Sequence, residues 1–119
     1  MRQLLREGKP LMAEGKYAEA APSFEQILRL APDNAEAYFA LAVCYSQVNR
    51  TEQAIALLRK YLEQRPIEAD GFTVLGLLLL NRGQRLEARS ALERALVLDP
   101  DQEEARQALH SFTGSPQNP

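Results

Sequence analysis

The stretch Gly15-Lys16-Tyr17-Ala18-Glu19-Ala20, followed by Phe24, Leu28 and Pro32, decides the fold. It opens on a residue that tolerates left-handed backbone. A small residue and two bulky ones follow at helical spacing, and a proline closes it. The same pattern returns every 34 residues: Ala20, Ala54 and Ala88; Phe24, Leu58 and Leu92; Leu28, Leu62 and Leu96; Pro32, Pro66 and Pro100. Gly15, Asn49 and Gly83 share the opening position, and Leu41, Leu75 and Leu109 form a further set in the same register. A period between about 20 and 50 residues belongs to a stack of repeats, in which each unit buries its apolar face against the next.

The chain has 119 residues, which accommodates three such units of 34 with 17 residues left over. Leu occurs 19 times and Ala 17 times, against 10 for Val, Ile and Thr together. Helix formers therefore far outnumber strand formers. The formal charge of −2 gives no overall positive field for a nucleic-acid backbone. A single cysteine excludes an internal disulfide and a multi-thiolate metal site. The apolar run Leu77 to Leu80 is far too short for a membrane span, and residues 1–10 lack the apolar centre of a signal peptide. If Met1 is the natural start, a cytoplasmic location follows. Arg outnumbers Lys 11 to 3, a bias that points to a bacterial source.

Periodicity supplies the local structure. Tyr38, Leu41, Ala42 and Tyr45 form one helical stripe, Asn49 interrupts it, and Ala54, Leu57, Leu58, Tyr61 and Leu62 form the next. The third unit repeats this around Gly83. Each unit reads as a helix, a short turn and a second helix, with acidic residues after each closing proline placed to favour the next helix start. Gly8, Ala42 and Gly76, with Ala20, Ala54 and Ala88, are small enough for paired helices to approach closely. The expected architecture is all-α: a right-handed α-solenoid of three antiparallel helix pairs plus one solvating helix. It forms a single domain over 1–112, with repeats at 1–34, 35–68 and 69–102, a cap helix at 103–112 and a disordered tail at 113–119.

These residues resemble the tetratricopeptide repeat (TPR) family. Gly15-Lys16-Tyr17-Ala18-Glu19-Ala20 with Phe24, Ile27, Leu30 and Pro32 is similar to the second half of its motif, and Gly76, Gly83, Ala88, Ala95 and Pro100 to its third-repeat counterpart. The departures carry expectations of their own. Pro10 lies inside the first helix, where loss of the bond to the Arg6 carbonyl costs about 3 kcal/mol, so that helix should kink or fray. Pro22, near the start of the second helix, should be tolerated. Thr51 and Arg85 stand where Tyr17 stands in the first unit, which should loosen those two turns.

No catalytic arrangement, cofactor motif or metal set stands out. His110 reads as a surface residue and Cys44 as an inert buried thiol. The resemblance implies a protein-binding scaffold, not an enzyme, with partners lying on the first helix of each repeat. Carried over residue by residue, that groove comprises Arg2, Leu5, Arg6, Lys9 and Met12, then Phe39, Val43 and Gln47, then Thr73, Val74, Leu77, Leu80 and Asn81. One end is basic and the middle apolar, which suits a peptide or helical segment of apolar or amphipathic character. Self-association through the same residues and their burial against neighbours are the lesser readings. The chain could also be an oligomerising or structural spacer, or a slice of a longer solenoid. Within the family, one group grips the carboxylate tails of heat-shock chaperones. Its clamp positions correspond here to Leu5, Lys9, Ala40, Asp70 and Val74, of which only Lys9 could hold a carboxylate. A secretion-chaperone-like role, in which three repeats hold an apolar client segment, is compatible with the groove.

Overall fold

The computed structural model describes residues 2–114, with side chains through residue 112. Its elements are α1 (Arg2–Ala13), α2 (Tyr17–Leu30), α3 (Ala35–Gln47), α4 (Thr51–Gln64), α5 (Ala69–Asn81), α6 (Arg85–Leu98) and α7 (Glu103–Gly114). No strand occurs among the described residues. Helix starts keep the sequence period: 35, 69 and 103 for α3, α5 and α7, and 17, 51 and 85 for α2, α4 and α6. The described helices fall into two compact units that divide between Arg65 and Pro66. In the first unit α1 packs on α2, α2 on α3, and α3 on α4. In the second, α5 packs on α6, and α7 lies against both.

The turn inside each pair is set by one backbone conformation. Gly15, Asn49 and Gly83 have φ of 79°, 65° and 81°. This left-handed residue lets the following N–H turn back onto the helix end. Lys16 N–H donates to the Leu11 carbonyl at 2.8 Å, Arg50 N–H to Tyr45 at 2.9 Å and Gln84 N–H to Leu79 at 2.9 Å. The bonds are equally short with Tyr17, Thr51 or Arg85 next in the chain. The expected loosening of the second and third turns is therefore absent: backbone bonds close these turns, and no aromatic side chain is needed.

The second helix of each pair ends the same way each time. The N–H groups of Ala31, Arg65 and Asp99 donate to the carbonyls of Ile27, Tyr61 and Ala95 at 2.7, 2.8 and 2.8 Å. Each of the three then precedes a proline, which disfavours a further helical residue there. Asn34 begins α3 by accepting the Ala37 N–H at 2.9 Å.

Two further expectations need correction. α1 runs through Pro10 to Ala13 without fraying at the proline. Pro10 and Arg6 are both exposed, so water can satisfy the Arg6 carbonyl, and the Pro10 carbonyl still accepts the Glu14 N–H at 3.1 Å. The cap helix also extends past residue 112 to Gly114, so Thr113 and Gly114 belong to α7. The rest of the expected tail, residues 115–119, lies outside the described residues.

Packing within each pair turns on one small residue. A methyl group built on Gly8 would stand 2.7 Å from Phe24 Cζ, and one on Gly76 would stand 2.6 Å from Leu92 Cγ. Ala42 and Leu58, at the same positions in the middle pair, are both fully buried. Gly76→Val should therefore cost about 1–3 kcal/mol through overpacking. Gly15→Ala meets nothing within 4 Å, yet should cost about 1–2 kcal/mol from its left-handed backbone alone. Urea unfolding followed by circular dichroism measures both. An unchanged midpoint for Gly76→Val would contradict the close-packing account.

Candidate functional site

The sequence-derived groove residues divide between the two units. In the first, Arg2, Arg6, Lys9 and Gln47 are exposed, while Leu5, Met12, Phe39 and Val43 are half-buried. Lys9 of α1 pairs with Glu36 of α3, Nζ to Oε2, at 2.5 Å. This joins the two first helices of the unit along their outer faces. Both partners are about half exposed, so the pair contributes little stability and mainly sets charge. Phe39 leans on α4, with its ring centroid 5.0 Å from that of Tyr61 and the planes tilted by 43°. It is thus anchored from behind while one side stays open to solvent.

In the second unit Thr73 belongs to the core, whereas Leu77 and Leu80 are half-buried. Leu77 and Leu80 pack against Leu92, Ala95 and Ala105. Val74 is half-buried and Asn81 exposed. Thr73 is 2% exposed, and its hydroxyl donates to Gln102 Oε1 at 2.7 Å. It presents no open surface and drops out of the groove. The Gln102 amide in turn donates to Asp70 Oδ1 at 2.8 Å. The sequence carried a trace of this network: Gln102 shares a register with Asn34, and Thr73 replaces the apolar Leu5 and Phe39. Only the fold brings the two together.

The titratable groups argue for structural roles. Cys44 is fully buried, and burial pushes its thiol up to about 11 from 9.0, far from the thiolate a nucleophile requires. Tyr45 donates its hydroxyl to the Glu25 carboxylate across α3 and α2, and the Arg50 guanidinium lies 4.0 Å over its ring. Burial first, then the bond to Glu25, raise its pKa. His110 is exposed on α7. Among the described residues no group of His, Cys, Asp and Glu could hold a metal ion, and no helix is long and apolar enough to cross a membrane.

Comparison with known proteins fits this geometry. Tetratricopeptide repeat profiles match residues 11–78 and residues 69–102. The chain belongs to the tetratricopeptide repeat family. It is 31% identical over 103 residues to the Hsp70-Hsp90 organizing protein of Triticum aestivum, a match covering 87% of this chain and 18% of that protein. It is also 29% identical over 111 residues to DnaJ homolog subfamily C member 3 of Bos taurus, covering 93% of this chain and 22% of that one. The chain thus spans about a fifth of the length of these relatives. Among solved structures, MamA superposes with a TM-score of 0.90 at 26% identity, over 97% of this chain and 68% of that one. The all-α TPR repeat fold expected from the sequence is therefore the fold of this protein, and the family's repeats form protein-interaction scaffolds.

The buried thiol and phenol give a pH dependence of stability. Between about 9 and about 11 the unfolded chain releases the Cys44 proton while the folded chain keeps it. Raising pH through that window therefore favours unfolding, and Tyr45 acts in the same direction. Below pH 9 the contribution is fully present. Thermal unfolding of Cys44→Ala should show a shallower loss of Tm from pH 9 to 11 than the parent chain, and adding Tyr45→Phe should make it shallower still.

Proposed function

We propose that this TPR chain is a non-enzymatic interaction module that holds an apolar or amphipathic segment of a partner protein on the α1–α3 face of its first unit. The observation that carries this is the half-burial of Leu5, Met12, Phe39 and Val43 beside the Lys9–Glu36 pair. Fully buried residues would serve the core alone, and fully exposed ones would not be pre-positioned. Half-buried apolar side chains on rigid helices offer a partner surface whose ordering cost is already met. Phe39, wedged on Tyr61, supplies the aromatic anchor typical of such surfaces. Arg2, Arg6 and Lys9 give the face a basic end.

A chaperone carboxylate tail suits this face poorly. Of the clamp positions, Leu5, Ala40 and Val74 lack charge, Asp70 bears the wrong sign, and Lys9 is engaged by Glu36. The absence of a titratable cluster among the half-buried residues of the face supports binding over catalysis.

Selection of dodecamer peptides displayed on phage against the purified chain should enrich segments with apolar residues at helical or alternate spacing. Val43→Glu and Leu5→Glu should each weaken the selected peptides at least tenfold by calorimetry while leaving the circular dichroism spectrum unchanged. Peptides that bind both variants at parental affinity would place the interaction elsewhere.

A further inference from the structure

The C-terminal helix of the second unit is held by an unusual balance of forces. α7 shares its register with α3 and α5, yet through residue 112 its single buried side chain is Ala105, whereas α3 buries seven residues. Leu109 shows the difference most plainly: its counterparts Leu41 and Leu75 are buried at 4% and 8% exposure, while Leu109 is half-buried. Ala108, Leu109 and Phe112 are only partly buried, packed against the cluster of Leu92, Ala95 and Ala105.

Polar contacts supplement this thin apolar one. Gln102, at the entry to α7, accepts the buried Thr73 hydroxyl at 2.7 Å and donates to Asp70 at 2.8 Å. Arg85 of α6 lies 4.6 Å over the Phe112 ring. At the earlier positions of this register, Asn34 caps its own helix, and the Thr73 position holds Leu5 and Phe39. The latch is therefore particular to the third repeat and is placed where the following helix docks.

We propose that α7 is a tethered, displaceable cover, and that the α5–α6 face beneath it takes an amphipathic helix from a partner protein bearing α7's own pattern, Ala-x-x-Ala-Leu-x-x-Phe. α7 itself shows what this face accepts: Ala105 buried against Leu92 and Ala95, with Ala108, Leu109 and Phe112 packed partly buried against the same cluster. A tethered helix competes at high effective concentration, so the Thr73–Gln102–Asp70 latch sets the threshold a partner must pass. Displacement couples the latch to binding, because any change that weakens the closed state favours the partner by the same factor.

The test uses the full chain and a fluorescent synthetic peptide of residues 103–114, which lacks Gln102. Wild type should bind it weakly. Thr73→Val and Gln102→Ala, which remove one latch partner each, should bind it at least tenfold more tightly, and Thr73→Ser, which keeps the hydroxyl, should behave as wild type. The same peptide carrying Leu109→Glu should not bind. By hydrogen exchange, α7 amides in wild type should open at least tenfold faster than those of α5 and α6, and Thr73→Val should accelerate α7 selectively. Exchange of α7 no faster than α6, failure of both latch variants to take up the peptide, or equal binding of the Leu109→Glu peptide would each overturn the proposal.

Discussion

The rest of the structure depends on how closely the two helices of a pair can approach. At Gly8, Ala42 and Gly76 the first helix presents almost no side chain, and Phe24, Leu58 and Leu92 of the second fill the space. Burying each of these large groups completely is worth about 1.5–3 kcal/mol. That burial is available only because the facing residue is glycine or alanine. Glycine inside a helix costs roughly 0.5–1 kcal/mol of propensity relative to alanine, and the packed side chain opposite more than offsets it. The pairs set glycine against phenylalanine, alanine against leucine and glycine against leucine, so the facing position stays small whichever large group it meets.

On this frame the polar residues act mainly as connectors. A left-handed residue closes each pair, and a helix end followed by proline closes each repeat, both through backbone bonds of nearly constant length. The position just before each first helix is then free to vary. Asn34 caps its own helix, while Gln102 reaches back to Thr73 and Asp70 on α5. The first use stabilises one helix, and the second ties two helices together. One register position thus carries two mechanical roles, decided by the length of the side chain and by what stands opposite.

Two groups that could do chemistry are sealed in the core of the first unit. The thiol of Cys44 is buried and held protonated, and the Tyr45 hydroxyl is spent on Glu25. Half-buried apolar side chains remain on α1 and α3 of the first unit and around α7 of the second. Such side chains are pre-positioned by the helices behind them and still lose water when a partner covers them, which is the energetic basis of recognition by rigid helical repeats.

The sequence by itself determined the helices, their turns and their pairing. A 34-residue period in small, bulky and closing residues is a local pattern, and local patterns survive without knowledge of distant contacts. It also marked the Cys44 thiol as inert, because that position falls on a core-facing stripe. The tertiary structure decided which groove candidates stay open to solvent. Helical phase alone places Thr73, Leu77 and Val43 on one kind of face, but whether such a face is open depends on what packs over it. Gln102, 29 residues from Thr73, consumes its hydroxyl, while Leu77 and Val43 both stay half-buried. A side chain 29 residues away leaves no mark on local periodicity, so burial by such partners became visible only once the chain was folded.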